Sequence, residues 1–157
     1  LSISNDEVMP LPCPEAVAVL LHPDSPVSTS EARKLLPQQV ALSDHVRQGR
    51  CLAAFIASLY EKNWQLSCQQ MQDYLIEPAR TPLWPYYETT KQAGYQAGAD
   101  VVVISGSGPS MLALCQSTQQ ADKIAQAMQH ACENMQYRTQ YWIGSVPAPA
   151  AHIIEVN

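Results

Sequence analysis

Two short apolar segments, residues 99–104 and 110–115, are separated only by Ser105-Gly106-Ser107-Gly108-Pro109. A parallel crossover needs a dozen or more residues, so a connection this short makes the two strands antiparallel neighbours. Every other element must therefore be arranged around a sheet that already contains one tight antiparallel pair.

Upstream, Ala16-Val17-Ala18-Val19-Leu20-Leu21 is short and Val-rich, and His22-Pro23 closes it, as expected of a buried strand. Ser28-Thr29-Ser30-Glu31 fits the capping box S-x-x-E and predicts a short helix over 29–36, stopped by Pro37. Leu42, Val46, Leu52, Phe55, Ile56, Leu59 and Tyr60 recur at helical spacing, so residues 38–62 read as mostly helix. Asn63-Trp64 breaks it, and Leu66, Met71, Tyr74 and Leu75 mark another helix. Residues 76–82, with prolines at 78 and 82, read as a loop. Residues 85–96 read as a helix that stops at Gly98. Beyond the hairpin, Thr118 caps a helix with Ala121, Ile124, Ala125, Met128 and Ala131 on its apolar face; 136–146 and 152–156 supply the last strands. Residues 1–14, with three prolines, read as an edge segment and linker. The order strand, helices, strand, strand, helix, strand is the ferredoxin-like βαββαβ pattern of an α+β domain, with a large helical insertion after the first strand.

Composition narrows the function. With 157 residues and 46% hydrophobic content the chain suits one folded domain and excludes disorder. Nine Lys and Arg against fourteen Asp and Glu leave a net charge of −5, so no basic footprint for nucleic acid exists. No apolar run approaches the ~20 residues that span a bilayer, and no signal-peptide pattern opens the chain. Cys13, Cys51, Cys68, Cys115 and Cys132 form an odd set without a C-x-x-C pair, and the four histidines are scattered, so no metal-ligand spacing appears. Reduced, buried thiols of a cytoplasmic protein are the expectation.

Few residues invite a chemical role. The loop Ser105, Gly106, Ser107, Gly108, Pro109 could bare its backbone N–H groups to an anion, or could be an ordinary hairpin turn that glycine makes sterically easy. Arg33, behind the capping box, and Arg80, between Pro78 and Pro82, offer planar forks for a carboxylate or phosphate; each could equally be a solvated surface residue. His22 reads as a strand-end residue, and Trp84, Tyr86 and Tyr87 read as packing. Walker-A, dinucleotide, G-x-S-x-G and H-E-x-x-H motifs are absent, and no carboxylate pair has a spacing that demands acid/base work.

Three segments together resemble a known family. Residues 103–114, Val-Ile-Ser-Gly-Ser-Gly-Pro-Ser-Met-Leu-Ala-Leu, are similar to the third motif of the GHMP kinases; residues 27–37, Val-Ser-Thr-Ser-Glu-Ala-Arg-Lys-Leu-Leu-Pro, and Glu77-Pro78-Ala79-Arg80 resemble the homoserine kinase branch. The resemblance covers nearly the whole chain. It implies the C-terminal domain, over 1–157, of an enzyme that moves the γ-phosphoryl of ATP to the hydroxyl of L-homoserine in threonine biosynthesis. It also implies that the ATP and Mg²⁺ sites lie in an N-terminal half, because the family's Pro-x-x-x-Gly-Leu-Gly-Ser-Ser loop is not in this sequence. Arg33 and Arg80 match the family's homoserine-pocket arginines, and Ser105 to Pro109 match the loop that closes on the active site. No catalytic base is assignable. Such a half is expected to be inactive alone, and to expose an apolar face that the other half or a homodimer would cover. Two rival readings stand beside this one: another GHMP small-molecule kinase, and a non-catalytic ferredoxin-like regulatory domain.

Overall fold

The computed structural model describes residues 8–25 and 28–148. Four strands, β1 (Ala16–Pro23), β2 (Val101–Ile104), β3 (Met111–Cys115) and β4 (Thr139–Val146), form one sheet in the order β2-β3-β1-β4 with every neighbour antiparallel. β1 and β2 flank β3, while β3 and β4 flank β1, which is the interleaving of the ferredoxin-like plait. Six helices accompany the sheet among the described residues: α1 (Thr29–Lys34), α2 (Leu42–Tyr60), α3 (Trp64–Gln70), α4 (Ile76–Arg80), α5 (Tyr87–Gln96) and α6 (Thr118–Glu133). The first four make up the insertion between β1 and β2 that the sequence led us to expect.

One face of the sheet holds the core. Along β3, Met111, Ala113 and Cys115 are fully buried while Leu112 and Leu114 are partly exposed, the period of two that a pleated strand imposes. Val19 and Leu21 of β1 and Val102 of β2 face the same side. Ala121, Ile124, Ala125, Met128 and Cys132 of α6 close over them at helical spacing. Gly94 brings α5 close: a Cβ there would stand 2.9 Å from Val102 Cγ2 and 3.1 Å from Met128 Sδ.

Several local expectations change. The long helix covers Leu42–Tyr60 rather than 38–62. Residues 71–75 are not helical, because the Asp73 carboxylate takes the N–H groups of Leu75, Ile76 and Glu77 (2.8–3.1 Å) and starts a new helix there. The proline-bracketed stretch is therefore α4 and a 3₁₀ turn over Thr81–Leu83, not a loop. Pro78 is tolerated because it sits in the first turn, where its missing N–H costs no intrahelical bond. Ser117, not Thr118, caps α6, its hydroxyl accepting from Gln120 N at 3.2 Å. The last described strand begins at Thr139; 152–156 and the first seven residues lie outside the described ones.

All five cysteines are free; Cys68, Cys115 and Cys132 are buried, Cys51 is half-buried and Cys13 is exposed, so buried thiols are three of the expected five. Burial pushes Cys68 up to about 12 and Cys132 up to about 11, so both stay protonated at neutral pH. No helix among the described residues is long and apolar enough to cross a membrane.

The approach at Gly94 yields a stability test. Gly94→Val should destabilise the chain by about 1–3 kcal/mol, because two methyls must enter a filled contact with Val102 and Met128. Urea unfolding measures it; a variant as stable as the parent would mean that α5 can move away from β2.

Candidate active site

The antiparallel register pairs Leu21 with Met111 and Ile104 with Met111, so the exit of β1 and the connection between β2 and β3 lie at one end of the sheet. That connection, residues 105–110, is held from several sides. Gly106 and Gly108 have left-handed φ of 63° and 75°. Ser105 N donates to Ser110 O at 2.8 Å, closing the turn. Tyr86, whose phenol burial pushes well above its ordinary range, donates its O–H to Pro109 O at 3.2 Å. Gly108 lies against the buried Trp84 ring so closely that a Cβ would collide with it. Thr29 Oγ1 at the start of α1 is 3.3 Å from Ser107 Oγ, and His22 Nδ1 at the end of β1 is 2.8 Å from Ser110 Oγ.

α1 owes its placement to the capping box that the sequence predicted. Ser28 Oγ accepts from Glu31 N at 3.2 Å, and Glu31 Oε2 accepts from Ser28 N at 2.8 Å. The Ser28 backbone N–H, then its hydroxyl, hold the Glu31 carboxyl below its usual range.

Next to the glycine loop a cavity of about 290 Å³ opens between α2, the segment 70–73, α4 and β2. Leu52, Phe55, Met71, Ile76 and Val103 give it apolar walls. Its two carboxylates are already engaged: Asp73 by three backbone N–H groups, and Glu77 by an ion pair to Lys91 of α5. Arg80, at the end of α4, crosses from cavity wall to glycine loop and donates from Nη1 to Gly106 O at 3.3 Å. Its Nε is buried with no hydrogen-bond partner among the described residues. Arg80 is the one cation among the described residues that line the cavity, and its planar fork suits an anion there.

The structure thus brings Arg80 and Gly106 together on one cavity, with Ser105, Ser107, Gly108 and Pro109 in the same loop. Arg33 is exposed on α1 and is not among the residues that line the cavity; its helix reaches the glycine loop through Thr29 instead. Among the described residues no three His, Cys, Asp or Glu side chains come together as a metal site. Sequence reasoning missed Asp73 and the role of Trp84 as the platform beneath Gly108. An acidic residue shortly before Ile76-Glu77-Pro78 was a legible helix-start signal for the first; the second left no local pattern.

The two loop glycines should separate strain from collision. Gly106→Ala places a Cβ in open space and costs about 1–2 kcal/mol for the left-handed backbone alone. Gly108→Ala adds the collision with Trp84 and should cost about 1–3 kcal/mol more. Equal losses in denaturant unfolding would mean that Trp84 does not support the loop.

Comparison with known proteins gives this geometry its context. The family model described as GHMP kinases C terminal matches residues 55–134. A homoserine kinase of Chloroherpeton thalassium is 40% identical over 116 residues, which are 74% of this chain and 36% of that protein. The crystal structure of homoserine kinase from Cytophaga hutchinsonii superposes with a TM-score of 0.84 at 38% identity, covering 87% of this chain and 44% of that one. L. major mevalonate kinase, solved with R-mevalonate, shares the fold with a TM-score of 0.66 at 19% identity over 87% of this chain and 44% of its own. The chain thus spans between about a third and a half of the length of these relatives. Its motifs, its plait and the extent of these matches lead to one assignment: the chain belongs to the GHMP kinases, matching their C-terminal domain.

Proposed function

We propose that this chain is the acceptor-side domain of a cytoplasmic homoserine kinase, which transfers the γ-phosphoryl of ATP to the side-chain hydroxyl of L-homoserine on the way to threonine. The observation that carries this reading is the place of Arg80, the one cation among the described residues on the wall of a largely apolar cavity beside the glycine loop. A planar guanidinium suits a carboxylate, and the apolar walls suit a short aliphatic chain. Homoserine and mevalonate both carry a carboxylate that Arg80 could hold; what supports homoserine is the higher identity to homoserine kinases, 38–40% against 19% for the mevalonate kinase.

Phosphoryl transfer depends on positioning and on neutralising phosphate charge, and this domain's share is the first of these. Arg80 would fix the acceptor's carboxylate, so that its hydroxyl has one direction in which to point. The loop from Ser105 to Pro109, held by Trp84 and Tyr86, would close the site from this side. Arg33 on α1 lies near that loop through Thr29 and would approach the acceptor as the parts of the enzyme come together. ATP and Mg²⁺ would be held chiefly by residues beyond this chain, where the family carries the Pro-x-x-x-Gly-Leu-Gly-Ser-Ser loop that this sequence does not contain. The general base would come from there too, and the chain alone would not turn over. The outward stripe of α2, with Leu42 at 77% and Tyr60 at 58% exposure, supports an apolar face that the rest of the enzyme, or a second copy, covers.

In the complete kinase, Arg80→Ala should lower kcat/KM for homoserine by about 10- to 150-fold, the loss of one charge-assisted pair worth ~1.5–3 kcal/mol, with ATP binding little changed. Arg80→Lys should restore only part, because it keeps the charge and loses the planar fork. Steady-state kinetics with each substrate varied in turn measures this. An unchanged homoserine kcat/KM would remove Arg80 from the site.

A further inference from the structure

Arg80 ends α4, the N–H groups at the start of α4 are held by the Asp73 carboxylate, and Asp73 lies in a segment that is neither helix nor strand. What holds that segment comes from far away in sequence. Gln48 of α2 donates from Nε2 to Gln72 O at 3.2 Å and accepts at Oε1 from Tyr74 N at 2.9 Å. The amide thus grips the backbone on both sides of Asp73. Its neighbour Arg47 stacks on the Tyr74 ring, 3.6 Å from the centroid, and covers the outside of the same turn. Gln48 also lines the cavity on the side of α2 that carries Leu52 and Phe55. One side chain therefore forms part of the acceptor cavity and fastens the segment from which Arg80 is launched.

We infer that Gln48 is a positioning residue for acceptor binding: its two-ended amide clamp on Gln72 and Tyr74 sets the width of the cavity and, through Asp73 and α4, the aim of Arg80. The inference rests on the acceptor-site reading of this cavity. Its physical basis is that a catalytic or binding group displaced by about 1 Å can lose on the order of 100-fold in rate, while the two neutral hydrogen bonds themselves are worth about 1 kcal/mol each. Loss of the clamp should thus be felt far more in acceptor binding than in stability. A clamp that only stitched α2 to the loop would show the opposite balance.

Two variants of the complete kinase test this. Gln48→Leu keeps much of the volume and removes both bonds. Gln48→Glu keeps the acceptor for Tyr74 N–H and sets a carboxylate oxygen against Gln72 O. We expect the Leu variant to raise KM for homoserine by about 10-fold or more, with KM for ATP within about twofold and the melting transition nearly unchanged. The Glu variant should raise it too, because it loses the bond to Gln72 O and puts a negative charge on the wall of a cavity that takes a carboxylate. Hydrogen exchange should accelerate at Tyr74 N–H in the Leu variant, stay slow there in the Glu variant, and be unaltered in β3 for both. A homoserine KM within about twofold of the parent in both variants, or parallel rises in both KM values, would overturn the inference. If the Leu variant fails to fold, the Glu variant's KM pair decides. If the parent enzyme leaves homoserine untouched, the homoserine assignment falls, and the same comparison of KM values is made with the acceptor that the enzyme does phosphorylate: an unchanged acceptor KM in both variants overturns the inference, and a selective rise in the Leu variant sustains it.

Discussion

The pairing of Leu21 with Met111 is the constraint on which the site depends. It fixes β1 against β3 in antiparallel register, and a one-residue slip would turn Val19 and Leu21 out of the core. With that register set, the exit of β1, the glycine loop and the beginning of β4 share one end of the sheet. The insertion leaves β1 at this end, and the end of α4 meets the loop there through Arg80. A shifted register would separate Arg80 from Gly106 without altering either residue.

Within that frame, several polar groups around the cavity and the glycine loop are already paired. Asp73 is spent on three N–H groups, Glu77 on Lys91, the Tyr86 hydroxyl on Pro109 O, and Arg80 Nη1 on Gly106 O. Those bonds make the surroundings stiff, because each buried group would otherwise pay its desolvation cost unpaired. Arg80 is the one cation among the described residues on the cavity wall, which is why the proposed acceptor carboxylate is assigned to it.

The parts of this arrangement that sequence made legible are those with local causes. The tight Ser105–Pro109 connection forced an antiparallel pair, the Ser28–Glu31 box started α1, and helical periodicity found α2, α5 and α6. The segment 71–80 was misread for a physical reason. Met71, Tyr74 and Leu75 keep helical spacing, yet the Asp73 carboxylate competes for the backbone N–H groups, ends one pattern and begins another. Prolines at 78 and 82 suggested a loop, although the first turn of a helix accepts proline readily. Arg80 was legible as a candidate, and its bond to Gly106 O, 26 residues away in sequence, was not. The grip of Gln48 on residues 24 and 26 positions away had no local signal at all.

On the proposed function, the cavity beside the glycine loop takes the acceptor's carboxylate through Arg80. Calorimetric titration of the complete kinase with L-homoserine, and with the analogue whose carboxylate is reduced to an alcohol, tests this directly. Loss of a charge-assisted pair worth ~1.5–3 kcal/mol predicts that the analogue binds about 10- to 150-fold more weakly. Equal affinity for the two compounds would contradict the claim.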